Sequence, residues 1–439
     1  MLYNEPSDDD IVELMKQNPI DRNKYLNNIV NIIQNTPPGV VINLDGAWGT
    51  GKTILCRQLK YILENKSIKF PDISIIEEST KRNVFYFNSW ENDFHNEPLD
   101  IFLLELVNFN TEIMDPQDNN IEALNTIIDG VFKITGKLLV SMLSNGNLKI
   151  EDFKEAINSN EEHSKSFLLI KERRKRVREL LDFITKDNNL IVIIDELDRC
   201  KPTFAVETLE FIKHIFMHDK VSFVITCNKR ELANTIKCFY GSEFNGFRYL
   251  NRFFNIELAL PEIDKDKFIH YKWPIFYDVS VITNILTRVA YFFELSMREI
   301  NTYCTMMSTF IPYWKNTHSR SNKNYFIEWV FIPYLYGLSM VDKKMLEEFM
   351  NGNGFSEFAR FAQGDAKILD VLNTTISAYD ETRGIEEAEN LYKLIVDYNK
   401  TRLSKHSREN FTLFENIKLL FDALTMISPR SSYASFNDD

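Results

Sequence analysis

Gly46-Ala47-Trp48-Gly49-Thr50-Gly51-Lys52-Thr53 follows the apolar run Val40-Val41-Ile42-Asn43-Leu44 and precedes a stretch with helical spacing from Ile54 to Leu63. Strand, glycine turn and helix, in that order, are the context a phosphate-binding loop requires. Glycines let the backbone curl so that several N–H groups face one centre, and the helix N-terminus adds its partial positive charge there. Lys52 is then placed to reach the β- and γ-phosphates of a nucleotide, and the Thr53 hydroxyl to meet Mg²⁺. Gly46, Ala47, Trp48, Gly49, Thr50, Gly51, Lys52 and Thr53 are therefore candidate nucleotide contacts, with Thr53 a candidate metal ligand as well.

Such a loop needs a second segment that handles magnesium and water. Leu190-Ile191-Val192-Ile193-Ile194 is almost wholly apolar and β-branched, the composition of a central parallel strand covered on both faces. It ends in Asp195-Glu196. Asp195 is the candidate carboxylate beside Mg²⁺, usually through a water. Glu196 points differently, because consecutive strand-end side chains diverge, and is the candidate that orients and activates the attacking water. At the tip of a further apolar run, Val221–Thr226, Asn228 and Thr226 are candidate sensors of the γ-phosphate.

Arg248 and Arg252 lie four apart before the last apolar run, Phe253–Leu260. On a helix they would share a face, and either is a candidate arginine finger for a neighbouring subunit's nucleotide. Asp198 and Arg199 are expected to make a local ion pair that fixes the catalytic turn, with a phosphate contact by Arg199 as the alternative.

Outward from these motifs, residues 20–35 read as an amphipathic helix stopped by Pro37-Pro38-Gly39. Residues 83–88 read as a strand, and 98–109, 167–184, 203–216 and 229–239 as helices. The alternation predicts an α/β nucleotide domain with a central parallel sheet over residues 20–261, carrying a helical insertion at about 110–165. Residues 262–426 carry mostly helical patterns and predict a helical lid or partner domain, with 1–19 as an N-terminal extension and 427–439 as a flexible tail.

The chain's 439 residues fit two or three domains, and 44% apolar with 26% charged residues is the composition of a globular protein. A formal charge of −12 disfavours broad adsorption to nucleic acid. The one local exception is Lys171, Arg173, Arg174, Lys175, Arg176 and Arg178 on the helix at 167–184. Its ordinary reading is a solvated face; the alternative is a surface for nucleic acid, acidic lipid or an acidic partner. Five scattered cysteines lack metal-ligand spacing and fit a reducing compartment. The acidic N-terminus predicts no signal segment, and neither Gly130–Leu143 nor Phe326–Met340 reaches the length of a membrane span. A cytoplasmic protein is expected, with peripheral membrane attachment left open.

Taken together, the motifs resemble those of the KAP family of P-loop NTPases. The resemblance is carried by Asp45-Gly46-Ala47-Trp48-Gly49-Thr50-Gly51-Lys52-Thr53, by Phe87-Asn88-Ser89-Trp90-Glu91, and most specifically by Ile193-Ile194-Asp195-Glu196-Leu197-Asp198-Arg199-Cys200-Lys201-Pro202. Tyr249-Leu250-Asn251-Arg252-Phe253-Phe254 and Leu260-Pro261 extend it. It implies the additional-strand catalytic-glutamate branch of P-loop ATPases, with ATP and Mg²⁺ as ligands and a helical region after the sheet. In Leu295-Ser296-Met297-Arg298-Glu299-Ile300-Asn301, Arg298 matches the family's Arg-Glu element, which makes it a candidate second sensor or else a solvated helix residue. Some relatives carry membrane helices between the two nucleotide motifs; the stretch at about 110–165 here has no qualifying span. Bacterial relatives often accompany mobile elements or phage-defence loci.

The expectation is a Mg²⁺-dependent ATPase that couples hydrolysis to conformational change or assembly, as a homo-oligomer or with a nucleotide-dependent protein partner. A nucleotide-controlled scaffold and a nucleic-acid translocase or loader are the alternatives. No site for a defined phosphoryl acceptor is evident, which argues against a kinase.

Overall fold

The computed structural model describes residues 6–65, 69–73, 82–95, 97–113, 163–214, 218–273, 280–317, 330–366, 368–369 and 384–401. Most of the insertion expected at about 110–165, the apolar run 130–143 and the tail 427–439 lie outside the described residues. The chain forms two compact units, Met1–Glu262 and Ile263–Asp439.

In the first unit, α1 (Asp8–Gln17) and α2 (Asn23–Asn35) precede β1 (Val41–Asp45), and α3 (Lys52–Glu64) follows the glycine loop. Then come β2 (Arg82–Asn88), the single turn α4 (Ser89–Asn92), and α5 (Pro98–Ile113). α6 (His163–Ile184) leads into β3 (Asn189–Asp195) and α7 (Pro202–His214) into β4 (Val221–Cys227). α8 (Lys229–Tyr240) and α9 (Gly246–Leu250) lead into β5 (Ile256–Ala259).

The five strands form one sheet in the order β2-β3-β4-β1-β5, every neighbouring pair parallel. β4 thus separates the strand that carries the glycine loop from the strand that carries Asp195. It is the additional strand that the family resemblance implies.

Alternation explains why the inner strands read as unbroken apolar runs. Leu190, Val192 and Ile194 of β3 join one core layer, with Phe85 and Phe87 of β2 and residues of α5 through α9. Ile191 and Ile193 face the other way, into a layer built with α1, α2 and α3. β5, which among the described residues pairs with β1 alone, alternates between half-buried and exposed residues, as an edge strand does.

Register aligns the carboxyl ends of the strands: Asp45 lies opposite Cys227, and Asn88 opposite Asp195. The glycine loop, the Asp195-Glu196 turn and Asn228 therefore leave the sheet on one edge, where open α/β sheets bind ligands.

The second unit contains, among the described residues, α10 (Lys265–Lys272), α11 (Ser280–Phe292), α12 (Met297–Thr317), α13 (Ile332–Val341), α14 (Lys343–Met350), α15 (Phe355–Gln363) and α16 (Gly384–Thr401). Its core is aromatic: Tyr334 meets Phe292, Phe293, Phe349, Phe358 and Phe361, and Phe349 meets Tyr392. Gly337 lets α13 approach α11 closely, since a Cβ there would collide with Val289 and Phe293.

Candidate nucleotide-binding site

β1 delivers the chain to the glycine loop at Asp45. Gly49 and Gly51 have φ of 77° and 79°, the left-handed conformation that glycine adopts without a Cβ clash, and Gly51 is the N-cap of α3. Thr50 Oγ1 donates to the Ala47 carbonyl at 2.8 Å. The Lys52 ammonium is buried and donates to the Gly46 and Ala47 carbonyls at 2.6 and 3.1 Å. These carbonyls hold the cation inside the loop, within reach of an anion that replaces them.

Asp195, fully buried, accepts three hydrogen bonds from protein donors. Its Oδ1 accepts from the Thr226 hydroxyl and, at 2.9 Å, from the Glu196 N–H; its Oδ2 accepts from the Tyr86 hydroxyl at 3.1 Å. Burial, followed by the Asp195 charge, pushes the Tyr86 phenol far above its ordinary pKa, which keeps it a donor. Thr226 also accepts from the Cys56 thiol at 3.4 Å. As a strand-end hydroxyl it anchors Asp195.

Glu196 stands in the left-handed region at φ 60°, an unusual place for a residue with a Cβ. The turn swings its carboxylate toward α3: Oε1 accepts from the Thr53 hydroxyl at 3.4 Å, although the two residues are 143 positions apart. Burial raises the Glu196 pKa, and Arg199 opposes the rise.

The expected Asp198–Arg199 pair is not formed. Arg199 Nη1 lies 2.8 Å from Glu196 Oε1, and its guanidinium sits over the Trp90 ring at 5.7 Å. Leu197–Arg199 is a 3₁₀ turn, in which residues three apart eclipse and adjacent ones diverge, so position 199 meets 196. Asp198 turns instead to the glycine loop, where its Oδ2 accepts from Trp48 Nε1 at 2.6 Å.

The remaining candidates fall elsewhere. Asn228 caps α8, its side chain accepting from the Glu231 N–H at 3.3 Å. Arg248 lies in α9, but the helix ends at Leu250 and Arg252 falls in the turn beyond it. Both arginines are exposed. Arg298 belongs to the second unit, at the second position of α12. On α6, Arg174, Lys175 and Arg178 are exposed while Val177, Leu180 and Leu181 are buried, and Lys175 and Arg176 pair with Glu179. These side chains lie on the polar face of an amphipathic helix.

Sequence reading missed Arg22. Its Nη2 donates to the Thr50 carbonyl at 2.7 Å and its Nη1 to the Gly51 carbonyl at 3.3 Å. A lone arginine ahead of an amphipathic helix carries no motif, and only the fold brings it under the loop.

A nucleotide fits the donor set, which offers a left-handed glycine turn, a buried lysine and a helix N-terminus. Mg²⁺ fits it too, because Thr53 Oγ1 and the Asp195 carboxylate are hard oxygen donors at the same edge of the sheet. Asp195 would reach the ion through a water, since its Oδ2 accepts one bond, from Tyr86, and can accept a second. Among the described residues no group of three or more His, Cys, Asp or Glu is arranged to hold a metal alone. A phosphate-borne Mg²⁺ needs none.

The KAP family P-loop domain matches residues 22–272. The chain belongs to this family of P-loop NTPases. None of the curated proteins matches the chain. Among solved structures, the Aeropyrum pernix Orc1 protein in complex with DNA aligns at 12% identity over 93% of this chain and 84% of that one, with a TM-score of 0.35. Cdc6p from Pyrobaculum aerophilum aligns at 10% identity over 92% and 94%, with a TM-score of 0.36. Scores at this level do not establish a shared fold. No helix among the described residues is long and apolar enough to cross a membrane.

Proposed function

We propose that this KAP protein is a Mg²⁺-dependent ATPase that couples hydrolysis to conformational change or assembly. The observation that carries the reading is the approach of the Glu196 carboxylate to the Thr53 hydroxyl beside the glycine loop. Thr53 and, through a water, Asp195 would hold the ion, which would supply positive charge to the triphosphate. Lys52 leaves the loop carbonyls for the phosphate oxygens, and the N–H groups at the start of α3 face the same anion. Glu196 accepts the proton of the attacking water. The segment 262–426 serves as lid or partner module, with Arg298 as a sensor, and Arg248 or Arg252 reaches a neighbouring subunit.

The test is a hydrolysis assay on the purified chain, run with light scattering after size exclusion in ADP and in a nonhydrolysable triphosphate. Glu196→Gln is expected to keep triphosphate binding while turnover falls by about 10²-fold or more. Lys52→Ala is expected to lose binding itself. Normal turnover in the Glu196 variant refutes the assignment of the base.

One observation favours the scaffold reading as runner-up: Arg199 already occupies the Glu196 oxygen that would take the proton. Slow steady-state turnover together with nucleotide-dependent partner exchange would select it. Phage defence is the setting that the family context points to, and plaque counts on cells carrying the chain or its Lys52→Ala variant test it.

A further inference from the structure

Arg22 is 6% exposed, and among the described residues it forms no ion pair. Arginine is rarely buried without a carboxylate, because removing a lone cation from water is costly. Burial has the expected effect here, drawing the guanidinium pKa down to about 10. Its partners are neutral: the carbonyls of Thr50 and Gly51, the two residues that lead into Lys52.

The orientation of those carbonyls matters. In a trans peptide the C=O and the following N–H point in opposite directions. A Thr50 carbonyl held toward Arg22 turns the Gly51 N–H away from it, and a Gly51 carbonyl held the same way turns the Lys52 N–H away. Those two N–H groups open α3, and they are the donors a phosphate would take.

The mount that carries Arg22 is fixed at both ends of α2. Asn23 Nδ2 donates to the Met15 and Pro71 carbonyls at 2.7 and 2.8 Å, and the Tyr25 hydroxyl to the Ala259 carbonyl at 2.8 Å. At the far end, Arg82 donates to the Ile33 and Gln34 carbonyls at 2.7 and 2.8 Å.

We propose that Arg22 is a positioning residue of the phosphate site: its fork sets the Thr50–Gly51 peptide for the anion and reinforces the Gly51–Lys52 peptide, whose carbonyl also accepts from the Leu55 N–H at 3.0 Å, and its buried charge is compensated when a phosphate binds. The proposal rests on the nucleotide-binding reading. It assigns Arg22 to ligand binding, apart from the water-activating chemistry of Glu196.

Calorimetric titration with ADP and a nonhydrolysable triphosphate, on the full chain and on Arg22→Gln and Arg22→Lys, tests it. Arg22→Gln is expected to weaken binding about 10- to 100-fold, the scale of a charge-assisted hydrogen-bonding group. Arg22→Lys, which keeps the charge and loses the fork, is expected to recover only part of that loss. In hydrolysis the deficit should appear in KM, with kcat at saturation within about threefold of wild type, because a loop set for the phosphates holds ground state and transition state alike. The ligand-free Arg22→Gln chain should melt close to wild type, and its melting point should rise less with nucleotide.

Wild-type affinity in Arg22→Gln, or a loss in kcat without one in KM, overturns the proposal and leaves the nucleotide site standing. Failure of both variants to fold without ligand also overturns it, since Arg22 would then be a structural cap of α2. A wild-type chain that binds no nucleotide defeats both readings.

Discussion

Asp198 is 5% exposed, and its two oxygens are unequal: Oδ2 holds Trp48 Nε1, and Oδ1 is buried with no hydrogen-bond partner among the described residues. A half-satisfied buried carboxylate is sensitive to the loss of its one donor. Trp48 itself is 51% exposed, so its ring contributes little burial. Trp48→Phe is therefore expected to destabilise the chain by about 1–3 kcal/mol in urea unfolding, through the donor it removes rather than the ring it changes. Asp198→Asn in the Trp48→Phe background should recover part of that loss, because it removes the stranded charge. Additive losses would show that the two side chains are not coupled. Trp48 stands in the glycine loop and Asp198 two residues after Glu196, so the bond joins the halves of the site directly.

At the scale of the element, the Leu197–Arg199 turn decides what Glu196 can do. Eclipsed positions three apart bring the Arg199 guanidinium onto the carboxylate, where its charge works against the effect of burial. A general base must be ionised, so activity should fall as pH drops through the Glu196 pKa, and burial sets that limb above the ordinary carboxylate range. Arg199→Ala removes the opposing charge and raises the pKa further. The acidic limb of the kcat profile should then move to higher pH, and a limb that stays in place or moves down refutes the assignment. The inner strands and the glycine turn were legible in the sequence, since a strand covered on both faces must be apolar throughout and a left-handed turn needs glycine. The turn's pairing was not, because Asp198-Arg199 reads as a neighbouring ion pair until 3₁₀ geometry sends the two apart. Arg22 and Tyr86 were illegible for another reason: each acts on a loop or carboxylate far along the chain, through a contact created only by helix docking or strand pairing.

For the whole molecule, the open question is whether one chain completes a site. Arg248 and Arg252 are exposed and make no ion pair among the described residues, which leaves both available to a second copy. The formal charge of −12 sets repulsion between copies against assembly, so exposed cations are the groups able to meet an acidic, phosphate-loaded neighbour. If an arginine acts across a head-to-tail interface, each site takes Glu196 from one chain and the arginine from the next. Two inactive variants should then complement each other: Glu196→Gln lacks only the base, and Arg248→Ala/Arg252→Ala only the finger. In an equal mixture, a site is whole when a chain with Glu196 intact is followed by one with its arginines intact, which restores about a quarter of wild-type turnover in a random assembly. Light scattering on the mixture in nonhydrolysable triphosphate checks that mixed oligomers form. Mixed oligomers without recovered hydrolysis would remove both arginines from the site, and activity that survives in the arginine variant alone would mean that one chain suffices.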